Sequence, residues 1–338
     1  MRQVWIPAHG EPEVLEVREA PDPDAAVGEV RIRVAAAGIN FADILARMGL
    51  YPDAPQLPAV VGYEVSGTVD QVGSGVDGLA EGSRVAALTR FGGYSDTVVV
   101  PANQVIPIGD GLSFEKAAAL PVNYLTAWVM LVWLGNVRRG DRVLVHAVAG
   151  GVGQAALQIC RHFGAEVLGT ASGGKHERLR QLGVTHPIDY RSQDFEEEVE
   201  RVTGGRGVDI ALDAVGGESF KKSYRCLAPL GRLFVFGASS MVSGTKRNLW
   251  TAFRQMMRMP RFKPLAMMSR NRGVLGVNLL HLWQEVGKIR LMLGEIAALT
   301  EEGKLDPVVD ESFPFDRAAE AHAYIQARKN FGKVLLTP

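Results

Sequence analysis

Between Val143 and Cys160 the chain reads VLVHAVAGGVGQAALQIC, a strand pattern, a glycine turn and then a helix pattern. The spacing Ala147-x-x-Gly150-x-x-Gly153 keeps two of the three glycines of a phosphate-binding βα turn, with Val148 where the first would stand. The chemistry of such a turn is anion binding. Gly150 lets a pyrophosphate approach the backbone, Gly153 lets helix and strand pack closely, and unpaired N–H groups at the helix start face the anion. A tight βα turn with no ligand also selects glycine, but this one opens a run of five βα units, which favours a dinucleotide.

The end of the next strand, LGTASGGKHERL, indicates which dinucleotide. An Asp or Glu there would accept from a ribose 2′-hydroxyl. The residues present are small, Thr170, Ala171, Ser172 and Gly173, followed by Lys175. A carboxylate would repel a 2′-phosphate, whereas Ser172 and Lys175 are donors to one. The expectation is NADP(H) rather than NAD(H), the competing reading being that Lys175 merely begins a solvated helix.

Such residues need a scaffold, and the periodicity supplies one. Strand candidates at Val143–Ala147, Glu166–Thr170, His186–Asp189, Val208–Asp213 and Arg232–Phe236 alternate with amphipathic helical segments, which specifies a parallel sheet covered on both faces. The first third differs. GEVRIRVAAAG alternates Val30, Ile32 and Val34 with charged residues, and VVGYEVSGTVDQVGSGVDGLAEGSRVAAL is a series of short β runs with Gly turns, as in a small barrel. SFEKAAALPVNYLTAWVMLVWL reads as helical, with Ser113 as N-cap and Pro121 kinking or dividing it. Beyond Gly273 come another strand, a long helix and a return to β signals, so the C-terminal segment is expected to rejoin the first domain. The division expected is 1–122 with 267–338 as one domain and 123–266 as the nucleotide-binding domain.

At 338 residues two domains are the ordinary expectation. The formal charge is zero, which gives nucleic acid no reason to bind. Cys160 and Cys226 lie far apart in apolar helical patterns and are expected to be buried free thiols. The N-terminal MRQVWIPAHGEPEVLEV has no apolar signal region, and no segment reads as a membrane span, so a cytoplasmic location is expected. One segment is unusual: from Ser219 to Gln284 there is no Asp or Glu. Within it Leu249, Ala252, Phe253, Met256 and Met257 fall at helical spacing, with Arg254 and Arg258 off that face and Pro260 ending the pattern. That face is expected to pack on the sheet or a dimer partner; other readings are a flexible wall over an apolar substrate and peripheral contact with anionic lipid.

GINFADILARMGLY, HAVAGGVG and KNFGKVLL together resemble the medium-chain dehydrogenases/reductases of the NADPH-dependent quinone oxidoreductase type. VNYLTAW, ASGGKHE, GVTHPIDY and GTKRNL are similar to the vesicle amine transport protein branch of that family. The resemblance covers essentially the whole chain. It implies an α/β fold with a GroES-like β-barrel catalytic domain and a Rossmann doubly wound parallel-sheet domain, a cleft between them and often a homodimer. In the zinc alcohol dehydrogenases of the family a Cys follows GI, GHE supplies a His, and another Cys lies just before the nucleotide domain. Here Asn40, Tyr63 and Val122 stand at those places, and the four-Cys structural zinc lobe is absent from RVAALTRFGGYSDTVVV. A catalytic zinc needs three protein donors such as Cys and His, so no metal is expected.

Without a metal to polarise an alcohol, the expected reaction is hydride transfer from NADPH to a quinone or another α,β-unsaturated carbonyl, the developing enolate meeting hydrogen-bond donors. The resemblance puts Asn40 and Thr126 beside the nicotinamide, and Tyr51, Asn123 and Tyr63 near the substrate as candidate donors. It carries over Gly151 and Val152 to the phosphates, Lys175 and Tyr190 to the adenosine end, and Phe236, Gly237 and Ser239 to the nicotinamide half, with Asn330 as a further contact. The alternative expectation is an NADPH-liganded lipid- or partner-binding protein with little catalytic activity.

Overall fold

The computed structural model describes residues 1–242 and 244–338. The chain divides into two compact units, Met1–Leu125 with Gly244–Arg247 and Leu279–Pro338, and Thr126–Ser243 with Asn248–Asn278.

The second unit is built on a six-stranded sheet: β1 Arg142–Val145, β2 Glu166–Ala171, β3 His186–Asp189, β4 Val208–Asp213, β5 Leu227–Val235 and β6 Gly273–Gly276. Neighbours run β3-β2-β1-β4-β5-β6, and every pair is parallel. This is the doubly wound order, in which ligands bind beyond the carboxyl ends of the strands where the order reverses. β1 stops at Val145, two residues short of the expected end, because Ala147 takes a left-handed φ of 52° and turns the chain out of the sheet. β6 pairs with β5, so the segment through Asn278 belongs to this unit; the expected boundary at 267 is too early for that reason. The unit also starts at Thr126 rather than 123, leaving Asn123 with the first unit.

The first unit is organised by a mainly antiparallel seven-stranded sheet. In Glu29–Gly38 the alternation expected from the sequence is realised: Val30, Ile32 and Val34 are buried, while Arg31 and Arg33 reach out to Asp70. The last strand, Lys333–Thr337, pairs antiparallel with Glu29–Gly38, which pairs antiparallel with Glu64–Val72. These directions bring the start of the first and third strands to the end of the middle one. Lys333, Gly38 and Glu64 therefore meet at one end of the sheet. Ser113 caps the helix Phe114–Ala118 by accepting the Lys116 N–H at 3.3 Å, and Pro121 opens a new helix, Pro121–Trp128, in place of a continuous one. The return of Gly244–Arg247 to this unit was not expected; Gln326 Nε2 donates to the Gly244 carbonyl at 2.9 Å and Arg247 Nε to that of Met48 at 2.7 Å.

Candidate active site

In the second unit the glycine turn joins β1 to the helix Gly151–Phe163, with Gly150 as its extended N-cap. At Gly153 a Cβ would lie 2.5 Å from the Ala147 carbonyl oxygen and 2.6 Å from the Val148 Cα, so any side chain would push helix and strand apart. The first turn of a helix leaves its N–H groups without intrahelical acceptors, an arrangement able to receive an anion. Val148 fits where a glycine is usual because β2 yields the space: a Cβ on Gly169 would fall 2.6 Å from the Val148 Cγ1. A dinucleotide pyrophosphate suits this cradle, with Gly150, Gly151, Val152 and Gly153 as its wall.

Beneath the turn is a buried chain of polar groups that the sequence reading missed. Ala147 N–H donates to Thr170 Oγ1 at 3.2 Å, and that oxygen lies 3.1 Å from His146 Nδ1. His146 Nε2 is 2.9 Å from Ser223 Oγ, which donates to Asp213 Oδ2 at 2.6 Å. One assignment satisfies all four: Thr170 donates to Nδ1, and Nε2 carries the proton toward Ser223. Burial holds His146 below its ordinary pKa, with Asp213 opposing, so the imidazole stays neutral. The carboxyl ends of β1, β2 and β4 are thus laced together directly under the turn.

Ser172 and Lys175 flank a short 3-10 turn after β2, the Lys175 N–H donating to the Ser172 carbonyl at 2.9 Å. Tyr190 follows β3 and is partly exposed. After β5, Gly237 packs on Ala214, where a Cβ would approach to 3.1 Å, and the Ser239 N–H donates to the Ala214 carbonyl at 2.9 Å. Phe236 is anchored through its N–H to the Asp213 carbonyl at 3.2 Å, and Thr126 is buried.

In the first unit Asn40 caps the helix Phe41–Arg47, and its own N–H donates to Asp43 Oδ2 at 2.8 Å. The side-chain amide is held at both ends. Lys333 Nζ donates to Oδ1 at 2.8 Å, and Nδ2 donates to Glu64 Oε1 at 3.1 Å. Glu64 also pairs with Lys333 and accepts the Val122 N–H on Oε2 at 2.7 Å, next to Asn123, whose side chain is buried. Glu64 and Lys333 are 0% and 2% exposed. Asn330 donates from Nδ2 to the Gly332 carbonyl at 3.2 Å, shaping the turn that delivers Lys333.

Tyr63 is set by the same framework. Gly62, at φ 102°, donates its N–H to Asp43 Oδ1 at 3.0 Å, and Asp43 accepts from Tyr94 Oη at 3.1 Å. Burial pushes the Asp43 carboxyl up to about 7 against those hydrogen bonds. Burial, reinforced by nearby Asp43 and Tyr51, raises the Tyr63 phenol and keeps it protonated as a donor; its hydroxyl is buried. Tyr51 is half-buried against the apolar core of this unit, which includes Val30, Ile32, Val34 and Tyr94. The sequence reading named Asn40, Tyr51, Tyr63 and Asn123, all in this unit. It missed Asp43, Glu64 and Lys333, although the N-x-x-D spacing of a capping box was legible at Asn40.

Among the described residues, no group of three or more His, Cys, Asp or Glu is placed to hold a metal ion. Residues 26–110 match the family model for the alcohol dehydrogenase GroES-like domain, and residues 182–336 match the model described as zinc-binding dehydrogenase. The synaptic vesicle membrane protein VAT-1 homolog of Rattus norvegicus is 42% identical over 325 residues, covering 96% of this chain and 80% of that protein. The chain belongs to the medium-chain dehydrogenase/reductase superfamily. It is close to the VAT-1 homologs within this family of oxidoreductases. The human VAT-1 homolog-like protein superposes with a TM-score of 0.87 at 34% identity, over 100% of this chain and 98% of that one. The Escherichia coli quinone oxidoreductase, crystallised with NADPH, gives 0.88 at 29% identity over the whole of both chains. The superfamily's pairing of a GroES-like domain with a Rossmann-type parallel sheet is thus the fold observed.

Proposed function

We propose that this protein is an NADPH-dependent, zinc-independent reductase of quinones or other α,β-unsaturated carbonyls. The observation that carries the reading is the Lys333 ammonium 2.8 Å from Asn40 Oδ1. A family member using zinc needs electron-pair donors there; this chain has an amide whose oxygen already serves a cation, a phenol kept protonated and an aliphatic Val122. This donor set differs from what the family model's zinc-binding description calls for, which supports the metal-free reading.

NADPH, when bound, supplies a hydride. The chain's part is to hold and to donate. Gly150, Gly151, Val152 and Gly153 receive the pyrophosphate, Ser172 and Lys175 the 2′-phosphate, Tyr190 the adenosine, and Phe236, Gly237, Ser239, Thr126, Asn40 and Asn330 the remainder. Conjugate reduction leaves negative charge on the substrate oxygen, which hydrogen-bond donors stabilise. Asn40 Nδ2, Asn123, Tyr51 and Tyr63 are the donors we assign. Support for NADPH comes from the absence of a carboxylate at the end of β2 and from the NADPH in the E. coli quinone oxidoreductase structure. The reading includes a cytoplasmic homodimer, consistent with β6 lying at an outer edge of its sheet. A cofactor-resolved activity screen over quinones and enones, with metal content measured on the same sample, tests it.

A second reading has its own observation. On the helices Leu249–Met257 and Pro264–Arg270 the side chains of Trp250, Met257 and Met268 are 70%, 69% and 70% exposed, among Arg254, Arg258 and Arg261 and far from any acidic residue in sequence. Of the expected apolar face only Ala252 is buried, so the packing anticipated for it is not made within this chain. An uncovered apolar and basic surface suits an anionic lipid or a partner. Co-sedimentation with anionic liposomes that is lost when the three arginines are neutralised supports that role.

A further inference from the structure

Asn40 is a short polar side chain whose two ends look alike to packing forces, so its orientation must be fixed by charge and hydrogen bonding. The surroundings do this asymmetrically. Lys333 is a donor only and faces Oδ1; Glu64 is an acceptor only and faces Nδ2. Turning the amide over would set its nitrogen against the ammonium and its oxygen against the carboxylate, unfavourable at both ends. The pair itself has no freedom to drift. A Cβ on Gly38 would lie 2.6 Å from both Glu64 Oε1 and Lys333 Cε, so both side chains lie tightly over that glycine. The second Glu64 oxygen is tied to the Val122 N–H at 2.7 Å.

We propose that Glu64 and Lys333 are positioning residues, which lock the Asn40 amide in one orientation and polarise it as a hydrogen-bond donor to the substrate oxygen. The inference rests on the reductase reading for its substrate, though not for its geometry. Among the described residues the second Nδ2 hydrogen has only the Gly38 carbonyl at 3.4 Å, a long contact, and is the one an incoming oxygen would take. A cation on Oδ1 withdraws electron density from the amide and strengthens that donor, as hydrogen bonds in series polarise one another. The same carboxylate fixes the backbone beside Asn123. A single buried ion pair thereby sets two of the assigned donors.

The test uses the full chain and two readouts. The first is the side-chain amide ¹⁵N–¹H pair of Asn40, identified by its loss in Asn40→Asp and read without cofactor or substrate. The second is steady-state reduction of 1,4-naphthoquinone by NADPH, with NADPH affinity measured separately by fluorescence. In Lys333→Met the Asn40 signal is expected to shift and broaden, and kcat to fall about tenfold or more while NADPH affinity stays within about threefold. Lys333→Arg, which keeps a cationic donor, is expected to retain more of both. An unchanged Asn40 signal and unchanged kcat in folded Lys333→Met overturn the proposal, as does equal loss in the Arg and Met variants. If Lys333→Met does not fold, Glu64→Gln is judged by the same two criteria. Should wild-type protein reduce no quinone or enone, the reductase reading fails, and the amide signal still decides the positioning role.

Discussion

Gly153 has no room for a methyl group, and the obstacles are backbone atoms rather than mobile side-chain ends. Gly153→Ala is expected to destabilise the protein by about 1–3 kcal/mol and to weaken NADPH binding, read by chemical denaturation and fluorescence titration. Lys175→Ala is expected to lower NADPH affinity by about tenfold with little effect on NADH, the difference isolating a 2′-phosphate contact; equal loss for both would remove the basis of the NADP preference. At this scale the sequence was informative where the residue type was itself the chemistry, as for the glycines or the loss of Cys and His at Asn40 and Tyr63. It was silent on Lys333 and Glu64. Each is an ordinary charged residue in its own stretch, and only sheet pairing over a separation of 269 residues makes them partners.

At the level of elements, β1, the glycine turn and β2 act as one fitted piece. Gly169→Ala is expected to be destabilising because its methyl meets Val148, and Val148→Ala should relieve much of that cost in the double variant; denaturation of the four proteins measures the coupling. Additive effects would mean that Val148 is not accommodated by Gly169. The two buried histidines predict a pH dependence. His146 is held below its ordinary 6.5 mainly by burial, and His322 well below it by burial and by the Arg47 guanidinium. The unfolded chain takes up these protons near pH 6.5 while the folded chain does not, so stability present above that pH is lost as it falls. His146→Gln is expected to flatten the acid limb of stability against pH. Periodicity made β2, β3 and β4 legible to within a residue, whereas β5 begins at Leu227, five residues before the expected Arg232. It could not show that Ala147 leaves the sheet early, since a positive φ at a non-glycine residue is imposed by the turn around it.

For the whole molecule, the alternation of strands and helices was enough to anticipate a nucleotide-binding unit inserted into a discontinuous one. The boundaries were harder to read. Asn278 rather than residue 266 closes the inserted unit because β6 must reach β5 to complete the sheet, and the short excursion Gly244–Arg247 is held by Gln326 from near the far end of the chain. The exposed apolar and basic helices are the part of the surface that hydride chemistry leaves unexplained, and liposome binding addresses them independently of catalysis. The central claim is that a cation-backed Asn40, with no metal, serves conjugate reduction. Its most direct test is NADPH oxidation, compared with NADH, across a panel of quinones and enones using protein whose metal content has been measured. The account predicts NADPH-preferring turnover of at least one such acceptor by metal-free protein. Stoichiometric zinc whose removal abolishes turnover, or cofactor binding with no turnover of any acceptor, would contradict it.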